Sequence, residues 1–178
     1  MNLDLKNKKI CIAGSSRGIG IAIARAFVNE GSSVMLSGRT QKTIHEALVQ
    51  LGPQASGIAV DLLTDAGIAT FASEVKKNFK NIDALILNLG NGNLERALSP
   101  TRDEWKVGFE YNFLSSVLTT QRMLPLMKDG SSILFTSSIV ALESTSAPLP
   151  YTSSKAALNN YAKNLSMLLA SKRIRVNI

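Results

Sequence analysis

Cysteine is almost missing from this chain. Cys11 is the only one among 178 residues, so no internal disulfide can form, and its place among Ile10, Ile12 and Ala13 reads as a small buried strand residue. A reducing cytoplasm is the expected setting. Histidine is as scarce: His45 stands alone beside Ile44 in a helical stretch, without visible metal partners, and a surface or partly buried role is expected for it. No metal is expected. Long apolar runs are missing too. Polar residues interrupt every apolar stretch before it reaches membrane-spanning length, and no signal-peptide core follows the lysine-bearing start from Met1 to Lys9. Neither secretion nor membrane insertion is implied.

Aromatic residues make up 6% of the chain and do not interleave with its basic groups, which are scattered at Lys6/Lys8/Lys9, Lys76/Lys77/Lys80 and Lys172/Arg173/Arg175. The net charge of +7 therefore fits solvated helix faces and attraction for an anionic cofactor. A basic nucleic-acid-binding module remains a competing reading that rests on charge alone. With 45% hydrophobic residues, positions 1–178 suit a single domain with a real core.

Short apolar runs alternate with longer segments of helical period, the pattern of repeated β-α units around a parallel sheet. Strands are predicted near Lys9–Ala13, Ser33–Ser37, Ser56–Val60, Ala84–Asn88 and Ser132–Thr136. The first helix, Gly18–Asn29, places Ile19, Ile23, Ala26 and Phe27 on a sheet-facing stripe. A second carries Ile44, Leu48 and Leu51. A third follows Thr64 as N-cap, with Ile68, Phe71, Val75 and Phe79 on one face. The fourth opens at Ser99-Pro100 or at Thr101, where Thr101 and Glu104 have capping-box spacing, and runs toward Lys128, long enough to need a bend at Gly108 or Pro125. The fifth spans Thr152–Lys172, and Gly31, Gly52 and Gly130 mark helix exits. Residues 173–178 alternate like a sixth strand cut in its middle. The fold expected is a Rossmann-type doubly wound parallel sheet with helices on both faces, truncated in that strand.

Gly14-Ser15-Ser16-Arg17-Gly18-Ile19-Gly20 follows an apolar strand and opens a helix. In that context glycines permit a tight turn and close approach to a pyrophosphate, while the helix N-terminus offers free N–H groups. Gly14, Ser16, Arg17, Gly18, Ile19 and Gly20 are thus candidate cofactor contacts. The second strand ends in Ser37-Gly38-Arg39, without the carboxylate that would hold the ribose 2′-hydroxyl of NAD. Arg39 and Arg17 can instead clamp a 2′-phosphate, which favours NADP(H).

Tyr151 and Lys155 are four apart on the fifth helix, and Ser138 lies just past the fifth strand, at the carboxyl end where parallel sheets assemble their sites. Hydride transfer to a carbonyl needs a matched proton at oxygen. An ammonium about 5 Å from a phenolate contributes about 3 kcal/mol at an effective dielectric of ~20, so lysine can make a tyrosine an acid/base near neutrality. Ser138 would hydrogen-bond the substrate oxygen.

Gly14 to Gly20, Asn88-Leu89-Gly90, Asn112, Ser138 and Tyr151-Thr152-Ser153-Ser154-Lys155 resemble the short-chain dehydrogenase/reductase family in order and spacing over nearly the whole chain. The resemblance implies an oxidoreductase in which Tyr151 is the acid/base, Lys155 tunes it and binds the nicotinamide ribose, Ser138 orients a small carbonyl or alcohol substrate and Asn112 completes a water-linked proton relay. It also implies cofactor contacts at Asn88, Gly90, Tyr151, Lys155 and Asp61, the last at the adenine; a turn aspartate explains Asp61 equally well. A homo-oligomer through the fourth and fifth helices is implied as well, with Trp105, Phe109 and Phe113 read as core or interface. Three departures stand out. Ala13 replaces the family's usual threonine, Leu87 replaces one asparagine of the fourth-strand motif, and family members continue past Ile178 into a substrate-covering segment. A truncated, inactive nucleotide-binding protein is therefore the alternative expectation.

Overall fold

A computed structural model describes residues 3–143 and 146–178; the first two residues of the lysine-bearing start lie outside them. Six parallel strands form one sheet in the order β3-β2-β1-β4-β5-β6, with β1 at Lys9–Ala13, β2 at Ser33–Gly38, β3 at Ala55–Ala59, β4 at Ile82–Leu87, β5 at Met127–Phe135 and β6 at Arg175–Asn177. Consecutive side chains of a strand take opposite faces. Ile10, Ile12, Val34 and Leu36 join one core with α1 (Gly18–Asn29) and α2 (Gln41–Leu51). Cys11, Ala13, Met35, Leu85, Leu87, Ile133 and Phe135 join the other with α3 (Asp65–Phe79), α5 (Ser115–Met123) and α6 (Leu149–Leu168). Central strands apolar on both faces are what a parallel sheet covered by helices on each side requires. This is the doubly wound Rossmann architecture, with the reversal of strand order between β1 and β4.

The helix signals act as local chemistry dictates. Thr40 and Thr64 accept hydrogen bonds from the amides of Thr43 and Gly67, capping α2 and α3. Thr101 and Glu104 form the reciprocal capping box that opens α4 (Arg102–Phe109). Four expectations need correction. On α1, Ile19 is 64% exposed and Ala26 also faces solvent; the buried residues are Gly20 and Ala24, whose small size lets the helix approach the sheet closely. The fourth helix does not bend at Gly108. It passes through a π-helical turn at Glu110–Leu114 into α5, then ends in a 3-10 turn, Leu124–Leu126, that contains Pro125. Gly130 is no helix exit but lies within β5 at φ +82, in an irregularity where five steps of β5, Met127 to Ser132, oppose two of β4, Ile82 to Ala84. Finally, α6 starts three residues earlier than Thr152 because Pro150 is tolerated in the first turn, and ends at Leu168 before a 3-10 turn and a left-handed Arg173.

At the amino end of the sheet, Asp83 draws its neighbours together: the Lys9 amide and Lys128 Nζ bond its carboxylate at 2.9 and 2.7 Å. Burial pushes its pKa up, but the Lys128 and Lys9 hydrogen bonds, with the charges of Lys128 and Lys8, outweigh that and hold it below the ordinary value. No helix among the described residues is long and apolar enough to cross a membrane.

Candidate active site

The turn between β1 and α1 is a cradle that leaves no room for a side chain at Gly14 or Gly20. Gly14 has φ +73, and a Cβ there would meet the Asn88 carbonyl oxygen at 2.6 Å. A Cβ on Gly20 would collide with the Gly14 carbonyl oxygen, and one on Gly38 would lie 2.6 Å from Ser16 Oγ. Gly18, at φ +57, has open space around it, so its requirement is conformational. Asn88 Nδ2 donates to the Gly14 carbonyl at 3.0 Å and ties the end of β4 to this turn.

Two hydroxyls brace the turn where Ala13 has none. The buried Ser15 Oγ donates to the Ile12 carbonyl at 2.6 Å and accepts from the Ser37 amide at 3.0 Å; Ser37 Oγ accepts from the Gly14 amide at 3.1 Å. Sequence reasoning missed this pair, because the only local signal is two serines at strand ends, one of the commonest placements serine has.

A groove of about 460 Å³ runs over these strand ends. Of the candidate cofactor residues, Gly14, Ser16, Arg17, Gly18, Arg39, Asp61, Asn88 and Gly90 line it; Ile19 and Gly20 do not. Asp61 is its only carboxylate among the described residues, and one of that residue's oxygens accepts the Leu63 amide at 3.0 Å, the geometry of a turn aspartate. Arg17 and Arg39 are exposed at the end nearest β2. The groove is further lined by Asn91, Asn93, Tyr111 and Ser115, which no motif singled out.

Asn112, Ser138, Tyr151 and Lys155 lie beyond the groove lining, and all but Ser138 meet the segment after β4. Lys155 Nζ, buried on α6, donates to the carbonyls of Thr136 at 2.9 Å and Leu89 at 3.2 Å, and burial pushes its pKa down to about 8. Asn112, in the π-helical turn, uses both ends of its amide: Oδ1 accepts the Asn91 amide at 2.8 Å, while Nδ2 donates to the carbonyls of Asn91 and Gly108 at 3.1 and 2.9 Å. A Cβ on Gly90 would be 3.0 Å from Asn112 Oδ1 and 3.1 Å from Lys155 Nζ, so glycine lets amide and ammonium close around the chain. A Cβ on Gly92 would lie 3.7 Å from Cζ of the half-buried Tyr151, which puts the phenol opposite that glycine. Ser138 opens a 3-10 turn, its Oγ accepting the Val140 amide at a long 3.4 Å. The structure thus gathers Asn112, Tyr151 and Lys155 around residues 88–92, with Ser138 two positions beyond the carbonyl that Lys155 holds. Among the described residues no cluster of His, Cys, Asp and Glu could hold a metal ion.

A doubly wound sheet, a glycine cradle at its switch point and a lysine with a tyrosine one turn earlier define a class of dinucleotide-dependent oxidoreductases. The chain belongs to the short-chain dehydrogenase family, whose model matches residues 8–178. It is similar to the uncharacterized oxidoreductase YvrD of Bacillus subtilis, 32% identical over 99% of this chain and 68% of that protein. L-sorbose reductase from Gluconobacter frateurii, solved with NADPH and L-sorbose, superposes with a TM-score of 0.94 at 31% identity, covering 99% of this chain and 70% of that one. A 7α-hydroxysteroid dehydrogenase complexed with NADH and 7-oxo glycochenodeoxycholic acid superposes at 0.91, with 29% identity over 99% and 71% of the two chains.

Proposed function

We propose that residues 1–178 form the dinucleotide-binding domain of an NADP(H)-dependent oxidoreductase acting on a carbonyl or secondary alcohol. The observation that carries this reading is the meeting of the Lys155 ammonium, the Asn112 amide and the Tyr151 ring around Gly90 and Gly92, next to a groove lined by the glycine cradle. The cradle fits a dinucleotide: Gly14 and Gly38 line the groove, Gly14 and Gly20 let the turn fold against neighbouring backbone, and the N-terminus of α1 offers free amides beside it.

Bound NADPH supplies the hydride in this chemistry. Tyr151 donates its phenolic proton to the carbonyl oxygen as the carbon is reduced, so carbonyl, hydride and proton yield one alcohol. Ser138 Oγ donates to the same oxygen and holds it near the phenol. Lys155, whose ammonium is held by the carbonyls of Leu89 and Thr136, would be the residue to hold the ribose, and its charge stabilises the phenolate left behind. Asn112 fixes residues 90–92 through Asn91 and carries the link to solvent through which Tyr151 is reprotonated. Asp61 faces the adenine end. Arg17 and Arg39 grip a 2′-phosphate, and no carboxylate at the end of β2 opposes it; the two superposed relatives, one with NADPH and one with NADH, show that this scaffold serves either cofactor. Arginine placement is therefore what supports NADPH here. Burial of Cys11, which pushes its thiol pKa up, suits a reducing cytoplasm, and α4 to α6 are the surfaces we assign to a homo-oligomer.

The test is carbonyl-dependent NADPH oxidation by full-length protein over a panel of ketoses, diketones and oxosteroids. Tyr151→Phe should abolish turnover and leave NADPH affinity within about twofold, since the hydroxyl's main task is to move a proton and the other cofactor contacts remain. Retained turnover in Tyr151→Phe would falsify the assignment of the acid.

A further inference from the structure

We propose that the hydrogen bond from Ser137 Oγ to Asn159 Oδ1 is a positioning clamp that holds Ser138 at a fixed reach from Tyr151. The inference rests on the function proposed above. The bond is short, 2.6 Å, and joins the chain leaving β5 to the middle of α6. On α6, Tyr151, Lys155 and Asn159 follow one another at intervals of four and form one stripe over successive turns. The end of the strand meets this stripe at two consecutive residues: the Thr136 carbonyl accepts from Lys155, and the Ser137 hydroxyl donates to Asn159. The next residue is Ser138. Its backbone is extended at φ −157 and ψ 155, so a grip on the Ser137 side chain sets the opposite direction in which Ser138 projects.

Ser138 needs that help. Among the described residues its own hydroxyl has only the 3.4 Å contact with the Val140 amide, too long to fix it. The two ties behind it also differ in permanence. Lys155 has three donor hydrogens and a second acceptor in the Leu89 carbonyl, so its bond to Thr136 is the one that would be shared if the ammonium also held a ribose. Ser137 and Asn159 spend this bond on each other, and neither has a part in holding cofactor in the function proposed above, so their bond is the tie that stays. Misplacement of a reacting group by about 1 Å can cost some hundredfold in rate, which makes a second-layer bond of this kind visible in kcat.

The experiment measures kcat, KM and NADPH affinity for full-length Ser137→Ala, Asn159→Ala, their double variant and Ser137→Thr. Each alanine variant should lose about tenfold in kcat with NADPH affinity within about twofold, Ser137→Thr should keep most of the rate because it keeps the hydroxyl, and the double variant should be no worse than the singles. Alanine variants at full kcat, or a double variant at the product of two separate losses, overturn the clamp. Tyr151→Phe in the same assay separates the two ideas, since turnover surviving there defeats the functional reading and not the clamp. Amide exchange at residues 138–141 reads the clamp without turnover: Ser137→Ala should exchange about fivefold faster there or more. Unchanged exchange overturns the clamp even in a protein that reduces no carbonyl.

Discussion

At the end of β2, Arg39 is exposed beside Gly38, and Asp61, among the described residues the only carboxylate along the groove, lies just past β3, next to the Val60 amide that bonds the Gly38 carbonyl. Replacing Arg39 by Asp should weaken NADPH by about 1.5 to 3 kcal/mol, the scale of one charge-assisted hydrogen bond, and improve NADH, read by cofactor fluorescence titration. Equal affinity for both cofactors in the parent protein would count against the arginine clamp. Lys155 makes a different kind of prediction. Its pKa falls from 10.5 to about 8 because folding takes its ammonium out of water. Between those pH values the unfolded chain holds a proton that the folded chain releases, so the penalty for burying the charge is full below pH 8 and is relieved as pH rises. Cofactor-free protein should therefore gain on the order of 3 kcal/mol relative to Lys155→Met from pH 8 to pH 10.5, measured by urea unfolding. A difference that stays flat across that range means the two carbonyl acceptors already compensate the burial.

Among elements, the β1-α1 turn is the one most tightly constrained. Gly20 lies against the Gly14 carbonyl and Ser15 Cα, both backbone, so the neighbours of a new methyl group cannot rotate away. Gly20→Ala should cost about 2 kcal/mol or more in stability and abolish measurable NADPH binding, whereas Gly52→Ala, with nothing near it, should bind cofactor normally despite its positive φ. Calorimetry and cofactor titration on the two variants check this. The caps were legible residue by residue: Thr64, and Thr101 with Glu104, do what their spacing requires, because capping involves only neighbours within one turn. The π-helical turn was not. Glu110–Leu114 continues an ordinary helical pattern, and the extra residue is favoured by Asn112 reaching across to Asn91 and back to Gly108, partners that no periodicity marks.

For the whole molecule, helices cover both faces of the sheet but leave apolar side chains outside, among them Val107 on α4 at 41% and Leu118 on α5 at 37% exposure. If these helices pair with a second copy, light scattering should find more than one chain per particle, and Val107→Glu with Leu118→Glu should shift it toward monomers without loss of helix content. A monomeric parent defeats the proposed interface. The sequence by itself determined the order of strands and helices, the glycine cradle, the caps and the Tyr151/Lys155 pair. Each of these is set by neighbours a few residues away, through the repeat of strand or helix and the torsion angles glycine allows. Only the tertiary structure decided what those pieces meet. Lys155 finds carbonyls 66 and 19 residues away, Ser15 braces against Ser37, Asn112 holds Asn91, and Ser137 reaches Asn159. Such partners are chosen by the strand order β3-β2-β1-β4-β5-β6, which brings distant strand ends side by side, and a pattern of local periodicity carries no information about which distant groups will be there.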